Sequence, residues 1–185
     1  MLKKFLFYFA LTGWTLALTI HLLSITGIDV SDKAPYIWLL HVGIFIVWLP
    51  VVLDLRKNEE LIELKESGTM NKMNPIAFYK IVFKHTPTWI SVIAIAGFFY
   101  AFINFAFFMI GNIGTPDIID GKFVLHNHGH IIKNLTEQQY HHYKALELRG
   151  FSGHWIAFYG IATAVLYKFS GFSENVNTTA NNTLA

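Results

Sequence analysis

The amino-acid sequence predicts an all-α membrane protein with four transmembrane helices and a small extracytoplasmic cap. That cap is a β-hairpin plus an amphipathic helix between spans three and four. Apolar residues make up 54% of the 185 residues and charged residues only 14%, whereas soluble domains carry roughly 25% charged residues. The mean hydropathy is positive, at +0.42. A chain of this composition is expected to be solvated largely by lipid.

Four apolar stretches approach or exceed the roughly 20 residues that a helix needs to cross about 30 Å of hydrocarbon. They cover residues 5–26, 36–53, 89–113 and 153–168. The third holds one strongly polar side chain, Asn104, among its phenylalanines. Trp and Tyr recur near the predicted ends, as they do in the aromatic belts of membrane proteins. Together the stretches predict one membrane domain over residues 1–172.

The distribution of Lys and Arg predicts the orientation. Nine of the fourteen lie in the N-terminus, in the connection after the second span and at the C-terminal end, and five lie in the other two loops. Positive residues concentrate on the cytoplasmic side, so both termini are expected in the cytoplasm, across a plasma membrane or a bacterial inner membrane. Residues 54–88 then form a cytoplasmic amphipathic segment and residues 114–152 an outer cap. Residues 173–185, rich in Asn and Thr, are expected to be a disordered cytoplasmic tail.

Composition also excludes several kinds of chemistry. The chain has no cysteine, so disulfides, thiolate metal sites and iron–sulfur clusters are ruled out, and any metal ligand must be nitrogen or oxygen. A net charge of +2, with no basic stripe, argues against nucleic acid as a partner. No phosphate-binding glycine loop, HExxH motif or Ser-His-Asp spacing occurs, so no catalytic residue is predicted and a non-enzymatic protein is favoured.

The predicted outer cap is rich in histidine. Six of the nine histidines lie between residues 121 and 155. Two short apolar runs flank Asn127-His128-Gly129, which matches a hairpin with a three-residue turn. In that register His126 and His130 form a directly opposed cross-strand pair, about 5 Å apart at Cβ, with His128 at the tip. Two imidazoles at this spacing can bind one metal ion when one or two further ligands complete the site.

The remaining ligands are expected from the segment that follows the hairpin. Thr136 and Gln139 match a capping box, which predicts a helix from residue 137 to 149 that ends at Gly150. His141 and His142 lie on this helix and point about 100° apart, so one of the two can join a site. The candidate completing ligands are His142 and His154. Carboxylates expected to orient the ligands are those of Asp117, Asp120 and Glu137.

A second pair of histidines lies inside the predicted spans. His21 is about six residues from the outer end of the first span and His41 about six residues into the second, so each lies roughly 9 Å below the outer surface at 1.5 Å per residue. Ionisable groups inside a membrane usually face the bundle interior, where they pair or serve a site. Two interpretations follow: axial ligation of a haem b between these spans, or hydrogen bonds that tie the helices together.

Three functional classes are therefore open. The first is a non-enzymatic subunit whose outer histidines hold a transition metal, Zn, Cu or Fe. The second is an accessory or assembly subunit of a larger membrane complex, with other membrane subunits as partners and no cofactor. The third is a haem b electron-transfer subunit with bis-histidine ligation by His21 and His41. In all three the lipid bilayer is the surrounding partner.

Overall fold

The computed structural model describes residues 1–66, 74–111 and 113–172; the predicted disordered tail, residues 173–185, lies outside the described residues. The chain is mostly helical, with one small sheet. The helices are α1 (Leu2–Ile25), α2 (Leu39–Arg56), α3 (Glu59–Glu66), α4 (Pro75–Val82), α5 (Thr88–Gly111) and α6 (Glu137–Leu166). Short 3-10 turns cover Pro35–Trp38 and Tyr167–Phe169. The strands are β1 (Thr115–Ile119), β2 (Lys122–Asn127) and β3 (His130–Asn134).

Three helices are long and apolar enough to cross a membrane: Leu2–Ile25, Pro35–Arg56 and Thr88–Gly111. Only 17% of the most apolar window of the third is buried within the protein. Its outward side chains include Phe99, Phe102 and Phe107, each more than 60% exposed. Water solvates such a surface poorly and lipid solvates it well. The prediction of an integral membrane protein is thus confirmed for these three spans.

Helix α6 differs from the prediction in its length. The sequence predicted a helix end at Gly150 and a separate span from Gly153, but α6 runs unbroken through both glycines. Gly150 does not adopt the left-handed conformation of a helix-ending glycine. A Cβ at Gly150 would lie 2.6 Å from the Phe108 ring, and a Cβ at Gly153 would lie 2.7 Å from Asn104 Nδ2. Both glycines therefore serve close packing against α5. The predicted capping box is present at the start of α6.

The second half of α6, where the fourth span was predicted, forms the centre of the bundle. Trp155, Tyr159 and Ala162 are at most 1% exposed, and α1, α2 and α5 pack around them. The Tyr159 hydroxyl donates to the Leu40 carbonyl on α2 over 2.8 Å. The Asn104 amide donates to the Arg149 carbonyl over 2.9 Å and ties α5 to α6. Hydrogen bonds from polar side chains thus fix the relative positions of the helices, which apolar packing alone specifies weakly.

The hairpin is present, with a register that differs from the predicted one. Strands β1, β2 and β3 form one antiparallel sheet in that order. The turn between β2 and β3 has two residues, His128 and Gly129, both with positive φ, as in the type I′ turn whose twist matches the strands. His126 therefore lies opposite Ile131, and His130 lies opposite Asn127. Since residues alternate between faces, His126 and His130 point to opposite faces of the ribbon. The predicted opposed pair was wrong.

Helices α3 and α4 confirm the two helical pieces expected between the second and third spans. Asn74 caps α4 by accepting a hydrogen bond from the Ala77 amide over 3.1 Å, and Pro75 occupies the first helical position. Lys84 pairs with Glu60 over 2.8 Å. This exposed ion pair joins the two pieces into one layer at the end of the bundle where α1 begins and α2 ends.

Candidate functional site

The loop between α1 and α2 places two carboxylates against one imidazole of α6. His141 Nδ1 lies 3.2 Å from Asp29 Oδ2 and 3.4 Å from Asp32 Oδ2. The three ligand atoms lie within 4.8 Å of one another, and no other group of three His, Asp or Glu side chains within residues 1–66, 74–111 and 113–172 meets that condition. We call Asp29, Asp32 and His141 the Asp–His cluster.

Asp29 is the buried member of the cluster. Its side chain is 2% exposed, against 60% for Asp32 and 38% for His141. Asp29 Oδ1 accepts hydrogen bonds from the backbone amide of Ser31, over 2.9 Å, and from the Ser31 hydroxyl. This arrangement is an Asx turn that holds the loop in shape. Oδ2 is left to face His141. A buried carboxylate oxygen is stabilised by a hydrogen-bond donor or a cation beside it, and His141 Nδ1 occupies that place.

The spacing within the cluster suits a metal ion. Zinc binds imidazole nitrogen at about 2.0–2.1 Å and carboxylate oxygen at about 2.0–2.2 Å. Two ligands of a tetrahedral ion at these distances lie roughly 3.4 Å apart. The nitrogen–oxygen separations of 3.2 and 3.4 Å have this size. The two carboxylate oxygens lie within 4.8 Å of each other, so an ion bound by all three residues would leave a fourth position for water.

The surroundings of the cluster carry negative potential. Burial raises the pKa of the Tyr140 phenol, and three nearby aspartates raise it further, against an opposing effect of Lys144. Burial alone would lower the pKa of Lys144, but its 3.0 Å hydrogen bond with Glu147 and the charges around it raise the pKa overall. Burial is the largest cause of the Tyr140 shift and the aspartates add to it, whereas the carboxylate that raises the Lys144 pKa most is its own partner Glu147. Asp29, Asp32 and Asp117 thus contribute negative potential at Tyr140.

The predicted metal ligands do not join one another. His126 Nε2 lies 3.6 Å from Asp117 Oδ2, so one predicted orienting carboxylate does approach its histidine. His126 Nδ1 is buried and has no hydrogen-bond partner among the described residues. His130 and His142 are exposed. His154 packs edge-on against Phe105 on α5, with 4.8 Å between ring centroids. Of the adjacent pair on α6, the cluster uses His141, whereas the sequence favoured His142.

His21 takes part in a directed hydrogen-bond chain between three helices. The Ser152 hydroxyl donates to the Arg149 carbonyl over 3.2 Å, so its oxygen accepts from His21 Nδ1–H over 2.8 Å. His21 Nε2 then accepts from the Tyr100 hydroxyl over 2.5 Å. Both ring nitrogens are occupied by protein groups. His41 is exposed and accepts from Trp155 Nε1 over 3.4 Å. In this arrangement His21 offers no nitrogen to haem iron.

We expect Ser152→Ala to lower the free energy of unfolding by about 1 kcal/mol, because it leaves the buried His21 Nδ1–H without an acceptor. Ser24→Ala is the matched control. Ser24 is also buried, but its hydroxyl donates to the His21 carbonyl within the same helix over 2.7 Å, so a smaller loss is expected. Thermal unfolding in detergent measures both. Equal losses in the two variants would contradict a role for the chain in joining helices.

Sequence reasoning missed Asp29 and Asp32. The available signal was two carboxylates three residues apart in a short loop, on the same predicted side of the membrane as the histidine-rich cap. Their partner His141 lies 112 residues from Asp29 in the chain. No protein-family model, curated protein or solved structure compared with this chain matches it. Function is therefore inferred from the residues of this chain alone.

Proposed function

We propose that this chain is a four-span, non-enzymatic membrane subunit that binds one transition metal ion on its extracytoplasmic face, at Asp29, Asp32 and His141. The observation that carries the proposal is the convergence of three ligand atoms, from two distant parts of the chain, to within 4.8 Å of one another. This proposal places the metal site on the loop after α1 and on α6, instead of on the hairpin where the sequence predicted it. No catalytic residue is assigned.

Zinc is the ion that suits the cluster best. One imidazole nitrogen and two carboxylate oxygens are borderline to hard ligands, and the chain has no cysteine to favour Cu(I). Iron and Cu(II) accept the same donors and stay second in rank. Three protein ligands leave a fourth position open. In a subunit without catalytic groups, the ion would clamp the loop after α1 to α6.

The fourth span in this proposal is the second half of α6. A helix of 30 residues is about 45 Å long at 1.5 Å per residue, enough to cross about 30 Å of hydrocarbon and project roughly 15 Å beyond it. His141 lies in the projecting part. The bias of Lys and Arg toward the ends and the second connection supports cytoplasmic termini. That orientation puts the Asp–His cluster on the outer side.

Metal analysis of the purified protein tests the proposal. We expect the wild type, stripped with chelator and titrated with Zn²⁺ in detergent, to bind one ion per chain. The His126→Ala/His130→Ala double variant is expected to bind equally well, because neither side chain belongs to the cluster. Loss of Zn²⁺ in the double variant would instead place the site at the hairpin.

The alternative functions give different results in the same preparation. A protonated His141 can offset one of the two carboxylate charges without metal, and this ion pair favours the accessory-subunit alternative. A folded protein that binds neither Zn²⁺, Cu²⁺ nor Fe²⁺ would support it. A Soret band lost in His21→Ala or His41→Ala would support the haem b alternative.

A further inference from the structure

A long apolar groove runs along α1 on the side that faces α2. Its walls come from α1, from the loop and 3-10 turn before α2, and from the first turn of α2, with Tyr159 of α6 on its floor. Its volume is about 730 Å³. On α1 it extends from Phe5 to Leu23, which is roughly 27 Å at 1.5 Å per residue. The groove therefore follows nearly the whole thickness of the hydrocarbon.

A basic hollow of about 600 Å³ lies where α1 begins, between Lys3, Lys4 and Lys168. The ammonium groups of Lys3 and Lys168 lie 4.6 and 5.1 Å from the centre of the same Phe169 ring, which gathers the two charges together. Lys3 is paired with Asp54 over 2.5 Å. Lys4 forms no ion pair or hydrogen bond with any described residue. Among the described residues, three lysines and the single carboxylate of Asp54 are the charged side chains at the hollow.

Tyr8 connects the groove to the hollow. Its ring lines the groove, and it lies one helical turn from Lys4, on the same side of α1. The Tyr8 hydroxyl donates to the Ser170 carbonyl over 3.2 Å, and Gly171, the next residue, lines the hollow. A molecule with an anionic end and an apolar tail can therefore occupy both spaces at once.

We propose that groove and hollow together bind one anionic phospholipid. Its phosphate lies at Lys4 and Lys168, and one acyl chain follows α1 from Phe5 toward Leu16. Charge complementarity identifies the headgroup, because lysines at a membrane boundary attract acidic lipid. The groove identifies the tail, because its lining is mostly apolar and most of it lies within two candidate spans. The hollow for the headgroup lies at the opposite end of α1 from the Asp–His cluster, and lipid binding there needs no metal.

The headgroup should decide selectivity. An acyl chain that enters the groove passes from one hydrocarbon environment to another. The groove therefore contributes little to the choice between lipids that have the same acyl chains. Two lysines near the phosphate are expected to favour phosphatidylglycerol over phosphatidylcholine of the same chain length by about tenfold. Lys4→Gln should reduce that preference about threefold or more, since Lys4 has no carboxylate partner among the described residues. Lys133→Gln, on the exposed strand β3, is the matched control and should keep it.

Native mass spectrometry of the full chain in detergent, with chelator present, tests the proposal. The wild type is expected to retain one phosphatidylglycerol and to lose phosphatidylcholine. Leu16→Trp narrows the groove at an exposed position and should lower retention of phosphatidylglycerol. Equal retention of the two lipids, or a preference unchanged in Lys4→Gln, would overturn the proposal. So would retention that Leu16→Trp does not reduce. Because chelator removes metal ions, lipid retention is measured here independently of whether the Asp–His cluster binds Zn²⁺.

Discussion

His141→Ala is expected to abolish stoichiometric Zn²⁺ binding, with at least about a 100-fold loss of affinity. Groups that only orient metal ligands already contribute 10–100-fold, and His141 supplies the one nitrogen within the Asp–His cluster. The variant also leaves the buried Asp29 carboxylate without a cation beside it. The two remaining carboxylates then resemble a weak, partly exposed site for hard ions more than a zinc site.

His142→Ala is the control for this experiment. His142 is the next residue on the same helix, is exposed, and contacts the ring of Tyr143. The variant removes the same kind of side chain, but from a position about 100° around the helix from the cluster. We therefore expect its affinity for Zn²⁺ to be unchanged. Calorimetric titration with a competing chelator measures both variants. Equal loss in the two, or loss only in His142→Ala, would mean that the cluster does not hold the ion.

Local signals in the sequence predicted local structure well. The capping box of Thr136 and Gln139 and the Asn74-Pro75 helix start are both present, because each depends on hydrogen bonds within four residues. Three spans follow from length and composition, since lipid selects for both. These features need no knowledge of which elements pack together.

Signals with two local meanings were decided by tertiary contacts. A glycine can end a helix or allow another helix to approach closely, and Gly150 does the second because Phe108 of α5 packs on it. Asn127-His128-Gly129 allows a turn of two or three residues, and the shorter turn with His128 at positive φ separates His126 from His130. A turn one residue shorter than predicted therefore puts His126 and His130 on opposite faces, so they do not form the predicted metal-binding pair.

The Asp–His cluster could not be derived from the sequence because it joins a short loop to a helix more than a hundred residues away. His141 and His142 are equivalent on composition and nearly so on position. Only the path of α6 across the end of α1 makes one of them a neighbour of Asp29. The predicted topology indicated only which segments lie on the same side of the membrane. Which of their residues touch depends on how α1 packs on α6.

Gly153→Val is expected to lower the free energy of unfolding by about 3 kcal/mol. A Cβ at residue 153 would lie 2.7 Å from Asn104 Nδ2, and overpacking of a tight interface costs typically 1–3 kcal/mol. The displaced amide also loses its 2.9 Å hydrogen bond to the Arg149 carbonyl, which contributes about 0.5–1.5 kcal/mol. For a chain of this size the loss corresponds to a fall in Tm of roughly 6–12 °C.

Gly97→Ala tests the same helix pair without the clash. Its Cβ would lie 3.4 Å from Ile156 Cγ2, an ordinary contact, and alanine is favoured over glycine inside a helix by about 0.5–1 kcal/mol. We therefore expect unchanged or slightly higher stability, measured by tryptophan fluorescence during heating in detergent. Similar losses in both variants would mean that any added side chain separates α5 from α6. Opposite results mean that Gly153 is required because the Asn104 amide occupies the space where its side chain would be.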